Sequence, residues 1–197
     1  ATEETPTNPE SPYGRTKLMT EWMMHDLTAA QKEFRFVILR YFNVAGASME
    51  GKIGQSTPQA THLLKVACES AVGKRPGMQI FGTDYDTKDG TCIRDFIHVD
   101  DLARAHVLAL DYLLKGGAAV TLNCGYGHGN TVQEVVDMTQ KLSGNVFKVE
   151  RAGRRPGDCP VVTSRADKIK TLLKWQPQHD DLTTIVRSAL DWEKKLI

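Results

Sequence analysis

The sequence predicts an α/β protein with parallel strand pairs, on three observations. Short β-branched and aromatic runs such as residues 35–43 and 120–124 have continuous apolar centres, as strands covered on both faces do. Between such runs lie segments whose apolar residues recur at three- and four-residue spacing, the period of a helix. The two kinds of segment alternate along the chain, the order that builds strand–helix–strand units.

The elements follow in order. Residues 1–10 carry two Pro, three Thr and no large apolar side chain, the composition of an exposed loop. Ser11 can cap the first helix, and Pro12 suits its first position, where a missing N–H costs nothing. Leu18, Met19, Trp22, Met23, Leu27 and Ala30 then form a helical-period stripe that reads as core. After the strand 35–43 comes a Gly/Ser-rich loop over 45–57, and then a helix from Pro58 to Val72 that ends at Gly73. Met78–Phe81 reads as a strand, 82–90 as a polar turn and Cys92–Val99 as extended. Asp100 or Asp101 caps a helix running to Leu114. Val120–Cys124 is a buried strand, 125–130 a glycine turn, and Thr131 the cap of a helix over 132–142. An extended segment over 146–151 and helices over 165–174 and 182–195 complete the chain.

Composition narrows the function. The 197 residues carry 25 Lys and Arg against 24 Asp and Glu, a net charge of +1, which argues against a broad basic surface for nucleic acid. The longest apolar run, Phe36–Leu39, falls far short of the roughly 20 residues that span a bilayer. No basic-then-apolar segment opens the sequence, so neither membrane nor nucleic acid is expected as a partner, and the expected location is the cytoplasm. Cys68, Cys92, Cys124 and Cys159 form no Cys-x-x-Cys pair and read as reduced, buried thiols. The six His are scattered, with none at metal-ligand spacing, so no metal site is expected.

The strongest local signal is Tyr13-Gly14-Arg15-Thr16-Lys17. Tyr13 and Lys17 leave one face of a helix near its N-terminus, one turn apart. An ammonium and a helix N-terminus beside a phenol both favour the phenolate, which makes a base able to exchange a proton with an alcohol. The plain alternative is a solvated Tyr and Lys on an ordinary helix.

Other segments extend this signal: Arg40-Tyr41-Phe42-Asn43-Val44-Ala45-Gly46, Thr61-His62-Leu63, the stretch Ile80–Thr91, Arg94-Asp95-Phe96-Ile97-His98-Val99-Asp100-Asp101-Leu102, and Gly153-Arg154-Arg155-Pro156-Gly157-Asp158. In this order and spacing, from Thr5 to Trp192, the chain resembles the UDP-glucose 4-epimerases of the extended short-chain dehydrogenase/reductase family. The resemblance implies part of a doubly wound parallel, Rossmann-type sheet (residues 1–45 and 98–131, NAD-binding) and a smaller α/β UDP-sugar-binding domain (46–97 and 132–197).

By the same resemblance, Tyr13 is the catalytic base, and Lys17 binds the nicotinamide ribose of NAD and tunes Tyr13. Tyr41 and Phe42 line the nicotinamide end of the cleft. Asn43 contacts the UDP diphosphate, and His62 and Leu63 lie near the nucleotide. Gln79, Ile80 and Phe81 flank uracil, with Phe96 as a second aromatic beside it. Arg94 and Arg155 engage the diphosphate, Asp158 accepts from ribose hydroxyls, and Val162 gates the sugar 2-substituent. The partners implied are a UDP-sugar substrate and a second copy in a homodimer.

The family's Gly-rich pyrophosphate turn and upstream catalytic Ser or Thr are not found in these residues. Gly125-Tyr126-Gly127-His128-Gly129 has its third Gly one place early and reads as a tight turn. The sequence is therefore expected to be the C-terminal portion of such an enzyme, and by itself inactive, poorly soluble and unable to retain NAD. Sibling readings are a nucleotide-sugar 4,6-dehydratase or a UDP-glucuronate epimerase or decarboxylase; Asn43-Val44-Ala45-Gly46 favours the 4-epimerase. A reading of another class is a non-catalytic nucleotide-binding module.

Overall fold

The computed structural model describes residues 1–197. The elements are α1 (Pro12–Ala30), β1 (Val37–Tyr41), β2 (Asn43–Ala45), α2 (Leu63–Ala71), β3 (Gly77–Phe81), β4 (Ile93–Arg94), β5 (Phe96–His98), α3 (Val99–Leu114), β6 (Val120–Cys124), β7 (Asn130–Thr131), α4 (Val132–Ser143), β8 (Lys148–Ala152), β9 (Val161–Val162), α5 (Asp167–Leu172) and α6 (Leu182–Lys195). The fold is α/β. Parallel ladders join β1 to β6, β2 to β5, β3 to β8 and β4 to β9, and only β4–β7 is antiparallel. One buried cluster, with Ile80, Ile97, Leu122, Ile169, Trp175 and Leu190 among its members, runs under the strands and helices.

Several elements form where local chemistry puts them. The Ser11 hydroxyl accepts from the Gly14 N–H at 3.0 Å, and Pro12 opens α1. At α4 the Thr131 hydroxyl accepts from the Glu134 N–H while the Glu134 carboxylate accepts from the Thr131 N–H, a reciprocal capping box. Gly144 closes that helix at φ 72°, in the left-handed region.

Other expectations are corrected by tertiary contacts. The strand expected over 35–43 breaks at Phe42. Its two halves, β1 and β2, pair with different strands, so the chain crosses between sheets there. The extended run 92–99 breaks likewise at Asp95, between β4 and β5. The second helix begins at Leu63 rather than Pro58, because Gln59 takes φ 55°, which a right-handed helix cannot contain. Lys174, at φ 54°, lies in the same forbidden region beyond α5, which stops at Leu172. The cap of α3 is the His98 imidazole, which accepts from the Asp100 N–H at 3.1 Å, and neither Asp100 nor Asp101. The α1 stripe is not core: Met19, Trp22 and Met23 are 52%, 56% and 70% exposed. The helix rests on β1 through its other side, with His25 edge-on to Phe36 and Glu21 bound to Arg40.

All four thiols are free, but Cys159 is exposed while Cys68, Cys92 and Cys124 are buried. No helix is long and apolar enough to cross a membrane.

Candidate active site

The candidate residues fall mainly into two groups. The first is the start of α1. Tyr13 is 72% exposed, and the Lys17 ammonium lies over its ring, 5.3 Å from the centroid. Lys17 makes no ion pair, so its charge is available to a ligand. The helix is fixed one turn further on, where Arg40 grips the Glu21 carboxylate with Nε at 2.8 Å and Nη2 at 2.5 Å. That hydrogen bond holds the Arg40 guanidinium above its usual range. An open cleft of about 320 Å³ lies beside Lys17, lined also by Asn8, Gly14, Glu21 and Arg40. Tyr41, at the end of β1, is half exposed and its ring is 6.5 Å from that of His106; Phe42 follows at the crossing between sheets.

The second group gathers where β3, β4 and β9 end. The Arg155 guanidinium stacks on Phe81 at 4.8 Å and donates from Nε to Asp158 at 2.9 Å. Arg94 approaches the other Asp158 oxygen at 3.5 Å and donates to the Cys159 carbonyl at 2.8 Å. Val162 pairs in register with Arg94. Two guanidiniums therefore share one carboxylate beside an aromatic face. That leaves a positive charge in surplus, fixed in planar forks suited to phosphate oxygens. Five of the residues singled out by sequence (Phe81, Arg94, Arg155, Asp158 and Val162) come together in this group.

The rest are placed differently. The Ile80 and Phe96 side chains are buried in the core, at 1% and 5% exposure, so only their backbones are left for a ligand. Gln79 is exposed, but its amide donates to Glu150 at 3.2 Å. Asn43 is exposed at the head of β2 and is held there by its N–H to the Asp95 carbonyl, 3.0 Å. His62 precedes α2 with Nδ1 2.8 Å from the Gln55 amide, and Leu63 is half-buried against the core.

The first 125 residues match the model of the NAD dependent epimerase/dehydratase family. The chain belongs to that family. It is 57% identical over 194 residues to a UDP-glucose 4-epimerase of Azospirillum brasilense, an alignment covering 98% of this chain and 56% of that protein. A solved UDP-Glc/GlcNAc 4-epimerase of Campylobacter jejuni is 56% identical, with a TM-score of 0.81, over 99% of this chain and 59% of the other. A UDP-glucose 4-epimerase of Bifidobacterium longum, solved with NAD+ and UDP, is 36% identical with a TM-score of 0.92, over 99% and 58%. This member of the epimerase/dehydratase family thus spans a little over half the length of the relatives it matches.

Three groups in this epimerase/dehydratase chain were not legible as site or support from sequence. Arg154 stacks on Tyr85 at 4.2 Å and donates to Asp84 at 2.8 Å, flanking the Arg155 group; the only sequence signal was the Arg154-Arg155 doublet. Asp101 is fully buried and accepts from the Tyr126 hydroxyl at 2.7 Å and from the Gln178 and His179 N–H groups. Burial, reinforced by that bond, pushes the Tyr126 phenol up, which keeps it a donor. His98, Asp100 and His179 have ligand atoms within 4.8 Å of one another, a spacing a metal could use. Both His98 nitrogens are nonetheless engaged. Nδ1 accepts from Asp100, and Nε2 donates to the Ser188 hydroxyl, whose own proton goes to the Ile185 carbonyl. Burial, with His179 alongside, holds the His98 pKa below its usual value, in keeping with a neutral structural imidazole.

Proposed function

We propose that this chain supplies the catalytic Tyr–Lys pair and the UDP-sugar site of an NAD-dependent enzyme that interconverts UDP-glucose and UDP-galactose. The observation that carries the proposal is the convergence of Arg94 and Arg155 on Asp158 beside Phe81, with Val162 next to Arg94, in a member of the epimerase/dehydratase family. The proposal assigns residues 1–45 and 98–131 to the NAD-binding domain and 46–97 and 132–197 to the UDP-sugar domain. It further takes the active form to be a cytoplasmic homodimer, supported by the exposed Met19, Trp22 and Met23 of α1.

The residues present fit NAD: an exposed phenol and an ammonium free of ion pairs stand one turn apart, a donor set for ribose hydroxyls. Lys17, Tyr13, Tyr41 and Phe42 would hold the nicotinamide end. NAD held there would supply the hydride acceptor and donor for the sugar C4. Tyr13 removes the C4 hydroxyl proton and later gives it back, acting as base and then acid at one oxygen. Lys17 places its positive charge over the Tyr13 ring, beside the proton-transfer step. Arg94 and Arg155 hold the diphosphate, and Phe81 and Asp158 the nucleoside. With the anchoring on the UDP, the sugar turns about its link to the diphosphate and shows Tyr13 its other face.

The test is conversion of UDP-galactose by the full-length protein that carries this chain. The product should be UDP-glucose of unchanged mass; a product lighter by water would assign a sibling dehydratase instead, and loss of CO₂ from UDP-glucuronate in a parallel assay a decarboxylase. Tyr13→Phe should lower kcat by about 10²–10⁴ with little change in UDP binding. A Tyr13→Phe enzyme of wild-type activity would overturn the assignment.

A further inference from the structure

Asp95 lies between Arg94, in the nucleotide group, and Phe96, in the core, and is fully buried. Its carboxylate meets no cation. Oδ1 accepts from the Tyr126 N–H at 3.0 Å, and Oδ2 accepts from the Gly127 N–H at 3.1 Å, the Ser164 N–H at 3.1 Å and the Ser164 hydroxyl at 2.7 Å. Four donors satisfy the buried carboxylate oxygens without a cation.

The backbone of the same residue is also engaged. The Asp95 carbonyl accepts from the Asn43 N–H at 3.0 Å, and its N–H donates to the Val162 carbonyl at 3.1 Å. Three residues of the proposed nucleotide site, Asn43, Arg94 and Val162, are thus bonded to Asp95 or adjacent to it in the chain. Arg94 directly precedes Asp95, so anchoring Asp95 fixes the backbone from which the Arg94 side chain departs.

The glycine turn after β6 acquires a purpose here. A Cβ at Gly125 would lie 2.5 Å from the Ser164 hydroxyl and 2.7 Å from the Asp95 carboxylate, so only glycine lets the turn come this close. The N–H groups of Tyr126 and Gly127 face a protein carboxylate, not a phosphate.

We infer that Asp95 is a positioning residue: it sets the spacing between Arg94 and the strand that carries Val162, and thereby the grip on the substrate diphosphate. The inference rests on the nucleotide-site assignment above. Asp95 itself has no route to substrate, because it is enclosed by the turn, Ser164 and β9.

The experiment compares competitive inhibition by UDP and by uridine, with KM and kcat for UDP-galactose, in the full-length protein and three variants. Ser164→Ala removes one of the four donors and should raise KM about threefold; Asp95→Asn, with its oxygen kept toward the three donors at Oδ2, sets an NH₂ against the Tyr126 N–H and should raise it about tenfold or more. In both, kcat should stay within about twofold and the preference for UDP over uridine should fall, because the loss lies in ground-state diphosphate binding. Arg94→Ala serves as the reference. If it leaves that preference intact, the nucleotide-site assignment and this inference both fall. If Arg94→Ala abolishes the preference while the other two variants lose only thermal stability, the positioning role alone is overturned. Should Asp95→Asn fail to fold, Ser164→Ala decides by itself, and an unchanged preference in that variant overturns the role.

Discussion

Arg94 and Val162 are direct partners in the parallel ladder of β4 and β9, and residues so paired project from the same face. A ligand held by the Arg94 guanidinium through a phosphate therefore extends past Val162. The ladder is only two residues long, and β4 is braced on its other edge by the antiparallel β7. On the proposed assignment, this neighbourhood sets which sugars fit.

Val is smaller than an aromatic at this place, so the full-length protein should epimerise UDP-N-acetylglucosamine as well as UDP-glucose. Val162→Tyr should reduce N-acetyl turnover by about tenfold or more and spare UDP-glucose, since a filled pocket rejects bulk rather than chemistry. Product analysis by NMR checks both. No N-acetyl activity in the unsubstituted protein would sink the idea.

Cys159 should be the one thiol that reacts quickly with an aromatic disulfide in the native state. It is exposed, whereas burial pushes the Cys68 and Cys124 thiols up to about 12 and leaves almost no thiolate there. Because the Cys159 carbonyl accepts from Arg94 and Asp158 is the preceding residue, UDP should slow the labelling. Unchanged kinetics with saturating UDP would count against a nucleotide at this place.

Glu193 predicts a pH dependence of stability. Its carboxylate is buried and accepts from Lys65 Nζ at 2.6 Å and Lys74 Nζ at 2.7 Å, tying α6 to α2 and the turn after it. Burial alone would raise its pKa, but the two lysine hydrogen bonds win and hold it below the usual carboxylate value. A native pKa below the unfolded one gives stability that is fully present above about pH 5 and lost as pH falls through the native value. Glu193→Gln should cost about 1.5–3 kcal/mol at neutral pH, because Lys65 loses one of its two carboxylate partners, Glu69 remaining at 3.4 Å, and the partly exposed Lys74 loses its own. The variant should also show a flatter fall of Tm on acidification. Equal slopes in the two proteins would refute the assignment.

If α1 forms the proposed dimer contact, Trp22→Glu should convert the full-length dimer to monomer at micromolar concentration. Trp22 is 56% exposed beside Met19 and Met23, and a carboxylate amid apolar contact loses its hydration on association. Sedimentation velocity reads the outcome; a variant that stays dimeric would move the contact elsewhere.

What could be read along the chain was chemistry carried by near neighbours. The Ser11 cap with Pro12, the Thr131 cap and the span of α6 each depend on residues within a few places of one another, and each stands as expected. The family resemblance, not local chemistry, brought Arg94, Arg155, Asp158 and Val162 to notice. Helical period showed that α1 has an apolar face but not what covers it, and Met19, Trp22 and Met23 lie exposed. Ile80 and Phe96 were legible as strand residues, but not as core, because a strand alternates faces without saying which is inward.

The sequence by itself determined the α/β class and placed Tyr13 and Lys17 one helical turn apart, since these rest on local period and short spacing, while the diphosphate role of Arg94 and Arg155 came from the family resemblance. Only the tertiary structure decided that Asp95 and Asp101 are buried hubs rather than acids or caps. Their partners Tyr126, Ser164 and Gln178 lie 31, 69 and 77 residues away from the carboxylates that bind them. A hydrogen bond across that separation exists only once the sheets have brought the segments together, and no local pattern records it.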